Sequence, residues 1–378
     1  LTLETIKSAA RSGARVANYA EVVAIRPDSG GGARATVHDL ADDGRLEVRA
    51  RCVVNAAGPW FDVVNQLVDA GAPRATQLTR GVHIVVPRYS LPVEHLVVLR
   101  AADGRSTFVV PSGSLVYIGT TDTLFEGPPS EPGVSAADVR YLLDSVAGTF
   151  ATAPGAADIS GVWSGVRPLL RADGKKPSEI SRRDEIRVGP GPVVSIAGGK
   201  LTTYRRMAER VVQSVLELLR RQDCPGAGES ALRPLVGGSM ADQARMRVAA
   251  TDSAEPQLVE RLWATYGIAA AGILDEIRES PAGGAGIGGL AELSVAEVEH
   301  AVRQEMAIEL DDVLRRRSRV AMFRTAETCA AAADVAAIMG RSLGWSASKI
   351  GRDVDAFRRE RLRELLAARG DGAEVTTG

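Results

Sequence analysis

The sequence predicts a mixed α/β (α+β) fold followed by an all-helical domain. Three observations carry this. Short β-branched runs alternate with helical periodicities over residues 1–221, a Pro/Gly-containing stretch interrupts the pattern at 222–233, and the periodic segments beyond it repeat at helical spacing. The expected divisions are 1–221 for the α/β part, 222–233 for a linker, 234–370 for the helical domain and 371–378 for a flexible tail.

Taken in order, residues 2–14 place Leu3, Ile6 and Ala9/Ala10 on one helical face. Ala20 to Ile25 reads as a strand, and Arg34–His38 and Arg45–Ala50 flank Asp42-Asp43-Gly44 as a hairpin. Arg51 to Ala57 reads as a buried strand ending at Gly58-Pro59. Trp60 to Ala70 follows as a helix with apolar positions 60, 63, 64, 67 and 68. The β-rich runs GVHIVVP, EHLVVLR, STFVVPSG and SLVYIGTTDT fill 80–125. Ser135 with Asp138 forms a capping box ahead of Val139, Leu142, Leu143 and Val146. Val162–Leu170 and Glu185–Ile196 return to strand. Thr202–Arg221 is a long helix turned inward through Met207, Val211, Val215 and Leu218. Ser294 with Glu297 opens another helix, with Val295, Val298, Val302, Met306, Leu310 and Val313 on one face.

Composition removes several function classes. Forty-six basic side chains face 47 acidic ones, so no global charge calls for a nucleic-acid partner. The three cysteines, Cys52, Cys224 and Cys329, form no CxxC, and with four histidines in all neither a disulfide framework nor a metal centre is expected. No apolar run approaches the roughly 20 residues of a spanning helix, and no signal peptide opens the chain, so the expected localisation is cytoplasmic. The run Arg315-Arg316-Arg317 with Arg319 would suit anionic lipid, but reads better as a solvated helix face.

Five constellations bear on chemistry. Gly284-Ala285-Gly286-Ile287-Gly288-Gly289 matches GxGxxG in letters only, because no strand precedes it and its surroundings are helical; it reads as an interhelical loop. In VVNAAGPW, Ala56, Ala57 and Gly58 would let a ligand approach the backbone where a strand ends, although a plain strand-to-helix turn has the same spacing. In SIAGGKLTTYRRMAE, Gly198-Gly199 end a strand and a helix opens near Thr202. Its free N–H groups and Lys200 suit an anion, whether a phosphate or the N1–C2=O edge of a reduced flavin. Arg167, beside Pro168, and Arg183 are guanidinium forks of the kind that hold phosphate. Arg171, Lys175, Lys176 and Arg182 read as surface ion pairs. His83, in GVHIVVP, is a candidate proton acceptor, though a lone strand histidine equally serves as a satisfied core residue.

VVNAAGPW, LTRGVHIVVP, VYIGTTDT, SGVRPLL, AGGKLTTYRRMAE and EMAIELDDVLRRRSRVAMF occur together in this order over about 53–323. In this the chain resembles the FAD-dependent glycerol-3-phosphate dehydrogenases. The resemblance implies a partial FAD-dependent oxidoreductase fold of the glutathione-reductase/D-amino-acid-oxidase type. Its flavin part would lie in 1–75 and 185–221 and its mixed-sheet substrate part in about 76–184. It implies non-covalent FAD, oxidation of glycerol 3-phosphate to dihydroxyacetone phosphate, and electron delivery to membrane quinone from a peripheral position on the inner face of the cell membrane. It leaves a homodimer open. Matched motif by motif, His83, Arg167, Arg183 and Lys200 fall on substrate-site positions, with His83, Arg167 and Lys200 in catalysis. Gly198, Gly199, Lys200, Leu201 and Thr202 fall on the cradle of the isoalloxazine ring, and Ala56, Ala57 and Gly58 near the pyrophosphate or ribityl part.

The family's GxGxxG unit, the acidic residue after it and an early Arg-Ser-rich stretch find no counterpart in the sequence. Weak FAD binding and an open sheet edge are therefore expected. A truncated, flavin-free fragment and an O2-using glycerol-3-phosphate oxidase are the alternatives. An amine oxidase of the glycine-oxidase type fits the basic residues less well.

Overall fold

The computed structural model describes residues 1–171, 183–221, 228–238 and 256–370. Helix α1 (Thr2–Arg11) is followed by an antiparallel sheet of β1 (Ala20–Pro27), β2 (Ala33–Asp39) and β3 (Arg45–Ala50). The predicted hairpin is present, with Asp43 in the left-handed region at φ 56°. No residue of α1 is buried, those of its Leu3, Ile6 and alanine face included. Polar contacts hold it instead. Glu4 accepts from the Gly237 N–H (2.7 Å), Ser8 Oγ accepts from the Val236 N–H (3.0 Å), and Lys7 Nζ donates to Glu305 (2.9 Å).

Strand β4 (Val53–Asn55) leads through a short 3-10 turn at Gly58–Trp60 into α2 (Phe61–Val68). The inner face of α2 differs from the expected one. Phe61 is fully buried against Ala75, Ala197 and Leu170, while Trp60 and Val63 are exposed. The cause is local: Gly58-Pro59-Trp60 winds at three residues per turn, so the α-helical phase starts one residue later. Val64 and Val68 then continue the face that Phe61 begins, packing on Ile25, Ala33 and Val193.

Six strands form the central sheet, in the order β10 (Gly161–Leu170), β5 (Thr76–Pro87), β8 (Leu115–Gly119), β7 (Ser106–Ser112) and β6 (Val97–Arg100), with β9 (Thr123–Phe125) also on β5. Alternation divides its faces. Val82, Ile84, Val86 and Ile118 pack on Val139, Leu142 and Val146 of α3 (Ala136–Ala147), whose Ser135 cap accepts from the Asp138 N–H as the sequence predicts. Gly81, His83, Trp163 and Arg167 belong to the opposite face.

A second mixed sheet has the order β11 (Asp184–Val188), β12 (Val193–Gly198), β4, and leads into α4 (Tyr204–Leu218). The pair β12–β4 is parallel. Among the described residues β12 is the one strand partner of β4, and Val54 is exposed.

The C-terminal helical domain comprises α5 (Pro256–Tyr266), α6 (Ala270–Glu279), α7 (Val295–Glu305), α8 (Val320–Phe323), α9 (Thr325–Leu343) and α10 (Ala347–Arg369). Among the described residues its one β element is a hairpin of β13 (Gly286–Ile287) and β14 (Leu290–Ser294). The last four of the GxGxxG letters, Gly286 to Gly289, lie in this hairpin between α6 and α7, so the expected interhelical loop is a β-turn, and Gly284 ends the 3-10 turn before it. Gly288 and Gly289 turn it at φ 56° and 87°, with Ile287 and Leu290 buried.

Helix α7 is capped by Ser294 and Glu297 as predicted, but it stops at Met306, which is left-handed at φ 56° and exposed. The helix expected to run through Val313 is broken because Asp312 captures the N–H groups of Ile308 and Glu309 (2.9 and 3.1 Å). A π-helical turn, Asp312–Arg317, follows. Its Arg316 and Arg317 pair with Asp312 (2.9 and 2.8 Å), so two of the run's arginines are engaged within the protein.

Candidate active site

Two strands entering in parallel end side by side. Asn55 of β4 lies opposite Ser195 of β12, and each strand then opens into a turn of small residues: Ala56-Ala57-Gly58 in one, Gly198-Gly199 in the other. The carboxyl ends of adjacent parallel strands are where open α/β sheets receive ligands. Buried polar groups lock the ends together. The Asn55 side chain accepts from the Ala57 N–H (3.1 Å) and donates to the Phe61 carbonyl and to Asn65 Oδ1 (both 3.0 Å). Ser195 Oγ donates to the same Asn65 oxygen (2.7 Å).

Glycine is required at this turn. Gly198 has φ +74°, and a Cβ there would lie 2.5 Å from the Arg183 carbonyl oxygen; at Gly199, φ +86°, it would lie 2.5 Å from the Met207 sulfur. Lys200, Leu201 and Thr202 are exposed, and no side chain caps the turn at Leu201–Thr203 or α4 behind it. The turn thus presents positive electrostatic potential and open backbone to one space. Arg183 stands beside it, because Asp184 pairs with Gly198.

The second cluster sits on the face of the central sheet away from α3. His83 lies opposite Trp163 of β10 and Gly119 of β8. Its ring stacks on Trp163 with centroids 4.7 Å apart and an 11° interplanar angle. A Cβ on Gly119 would lie 2.1 Å from the imidazole Cδ2, so Gly119 makes the floor for the ring. The His83 Nδ1 is buried with no hydrogen-bond partner among the described residues. Burial first, and then the nearby Arg167 charge, lower the His83 pKa to about 4, which leaves the ring a neutral proton acceptor near neutral pH.

The Arg167 guanidinium lies across Gly81, where a Cβ would come within 2.3 Å of Nη2. Arg167 donates to Thr120 Oγ1 (3.0 Å) and to the Thr121 carbonyl (3.3 Å), with Asp122 Oδ1 at 3.4 Å. Arg105 grips the same loop from its other side through the Asp122 carbonyl (2.9 Å).

The predicted residues therefore form two groups. His83 and Arg167 stand together, while Arg183 and Lys200 flank the Gly198–Gly199 turn. Strand β10 runs from one group to the other, since Leu170 lies 3.4 Å from where a Gly198 Cβ would be. Sequence reasoning missed Tyr117, Gly119, Thr120, Asp122, Trp163 and Phe323. Trp163 was within reach, as it shares the face of Arg167 four residues away on a strand. Phe323 was not: it arrives from the helical domain, edge-on to Tyr117 (6.1 Å, 85°) and 5.4 Å from Trp163. Lys175, Lys176 and Arg182 lie outside the described residues. Arg171 helps line a cavity of about 730 Å³ between α2 and the starts of β5 and β9, and none of the predicted site residues lines it.

Residues 1–205 match the family described as FAD dependent oxidoreductase, and residues 229–350 match the C-terminal domain of alpha-glycerophosphate oxidase. The chain is 31% identical over 370 residues to a glycerol-3-phosphate dehydrogenase of Mycobacterium leprae (strain TN), covering 97% of this chain and 63% of that protein. It is 32% identical over 364 residues to an aerobic glycerol-3-phosphate dehydrogenase of Staphylococcus aureus (strain MRSA252), covering 93% and 65%. The chain thus spans less than two thirds of the length of these curated relatives. Among solved structures, the glycerol-3-phosphate dehydrogenase from Bacillus halodurans complexed with FAD superposes with a TM-score of 0.82 at 28% identity, over 99% of this chain and 74% of that one.

Proposed function

Because the chain belongs to the FAD-dependent glycerol-3-phosphate dehydrogenase family, we propose that it carries the substrate side of that reaction: oxidation of sn-glycerol 3-phosphate to dihydroxyacetone phosphate. The observation that carries the reading is the half-buried His83, its pKa lowered to about 4, stacked on Trp163 beside the Arg167 guanidinium, on the strand system that ends at the glycine turn. His83 accepts the C2 hydroxyl proton. Arg167 polarises the developing carbonyl or holds phosphate, in company with Arg183 and Lys200. Arg167 is held by Thr120 and the Thr121 carbonyl, so the fork is fixed before substrate arrives.

The residues present fit the ring half of FAD. A Cβ on Gly58 would meet nothing within 4 Å, which leaves room beside Ala56–Gly58 for a planar group, and the open backbone at Leu201 and Thr202 suits a ring edge that gains negative charge. When bound, the flavin supplies the acceptor, N5, for the hydride that leaves C2. The GxGxxG letters of the sequence hold no nucleotide here, because Gly288 and Gly289 turn a hairpin in the helical domain.

On this reading residues 1–221 carry flavin and substrate, and the helical domain, about 234–370, closes the site. Quinone is the proposed electron acceptor, reached from a peripheral position at the cell membrane; among the described residues no helix is long and apolar enough to cross a membrane. The test is FAD titration followed at about 450 nm, then glycerol-3-phosphate-dependent reduction of a quinone analogue. His83→Ala and Arg167→Ala are each expected to lower turnover by roughly 10²-fold or more. Near-normal turnover in both rejects the assignment, and peroxide formed in place of reduced quinone selects the oxidase alternative.

A further inference from the structure

A histidine that accepts protons is commonly oriented by an acceptor on its second ring nitrogen. Among the described residues His83 has none, since its Nδ1 is buried and unpartnered. The imidazole is instead held flat, with the Trp163 ring on one side (4.7 Å, 11°) and the Gly119 backbone against it. Trp163 and Tyr117 both meet Phe323. Phe323 in turn is fixed by its backbone. Its carbonyl accepts from Ser160 Oγ (3.0 Å), the next N–H but one, of Thr325, donates to the Ser160 carbonyl (3.0 Å), and a Cβ on Gly161 would lie 2.2 Å from the Met322 carbonyl oxygen.

We infer that Trp163 and Phe323 are positioning residues, in which Phe323 of the helical domain buttresses Trp163 and the Trp163 ring sets the plane of the His83 imidazole in place of the missing acceptor. Stacking fixes a ring plane without drawing charge onto the ring, so His83 is oriented while keeping both nitrogens free of a carboxylate. The catalytic consequence rests on His83 being the proton acceptor proposed above, but the geometry does not.

The test uses the chain labelled with 13C-histidine, in which four histidines give four resolvable ring signals and His83→Gln assigns the one of interest. The His83 signal is expected to be displaced from the others by the Trp163 ring current. It should move back in Trp163→Leu and shift or broaden in Phe323→Leu, while Phe323→Tyr and Trp163→Phe keep it near its place. The unchanged signals of His38, His95 and His300 report that each variant is folded. In the FAD-loaded protein, Phe323→Leu should lower kcat by roughly tenfold with KM within about twofold, and Phe323→Tyr should restore it. A His83 signal indifferent to Phe323→Leu overturns the inference. A signal that moves while turnover does not upholds the positioning and rejects His83 as the proton acceptor.

Discussion

Gly198 carries two demands at once. Its φ of +74° is one that side chains avoid, and the Arg183 carbonyl fills the space a Cβ would need. Gly198→Ala is expected to cost roughly 1–3 kcal/mol, read as a fall in the urea midpoint. His83 makes a prediction with a sign. Its folded pKa of about 4 lies below the ordinary 6.5, so between these values the unfolded chain binds a proton that the folded chain refuses. This group leaves stability untouched above about pH 6.5 and erodes it as the pH falls from there toward 4. His83→Gln should flatten that part of the acid limb, which denaturation midpoints at several pH values will show. Both residues were legible in the sequence, for different reasons. The glycine pair sits in a contiguous strand–turn–helix pattern, and the histidine stands out in a β-branched run. Thr120 was not, because its role comes from a guanidinium 47 positions away.

The turn at Asp312 shows how one side chain overrides periodicity. Apolar spacing alone would continue α7 through Leu310 and Val313, and both are indeed buried. Yet the Asp312 carboxylate takes two backbone N–H groups, two guanidinium groups and the Tyr19 hydroxyl (2.9 Å), and the chain bends around it. Asp312→Ala leaves these donors unmatched in a buried place and should cost roughly 3–5 kcal/mol. Tyr19 offers a second readout. Burial first, then the Asp312 charge, hold its phenol well above the ordinary 10.0. In the variant its ionisation should move down toward that value, measured by ultraviolet difference absorption. The same element explains why the helix starts at Ser135 and Ser294 were read correctly while the helix end was not. A cap is written within four residues, whereas the end depends on which acceptor the folded chain brings near.

Across the molecule, the N-terminal segment is joined to the helical domain mainly by polar contacts: Lys7 to Glu305, Asn18 to the Met306 carbonyl (2.7 Å) and Tyr19 to Asp312. Helix α1 buries no residue of its own, so its attachment depends on these bonds. Lys7→Ala would leave Glu305 buried without that cation. The amides of Thr2–Arg11 should then exchange with solvent roughly tenfold faster while those of β5 keep their protection. The central sheet is tied differently, with Arg369 at the end of α10 donating to the Ile159 carbonyl (2.9 and 2.7 Å) and with Leu365 and Ala368 inside its core. The mixed sheets and the helical region could be read from periodicity. The joints between them could not, since each brings together side chains and acceptors hundreds of positions apart.

Strand β10 also works as a ruler. Over ten residues it starts under the Met322 carbonyl at Gly161, presents Trp163 and Arg167 on one face, and ends with Leu170 at the glycine turn. At about 3.3 Å per residue, a single inserted or deleted residue would change the gap between the two halves of the site. It would also turn every later side chain to the wrong side of the sheet. Evolution can therefore repaint this strand one residue at a time, but it cannot lengthen or shorten it by a single step without putting Trp163 and Arg167 out of register with His83 on β5 or with the glycine turn that Leu170 meets.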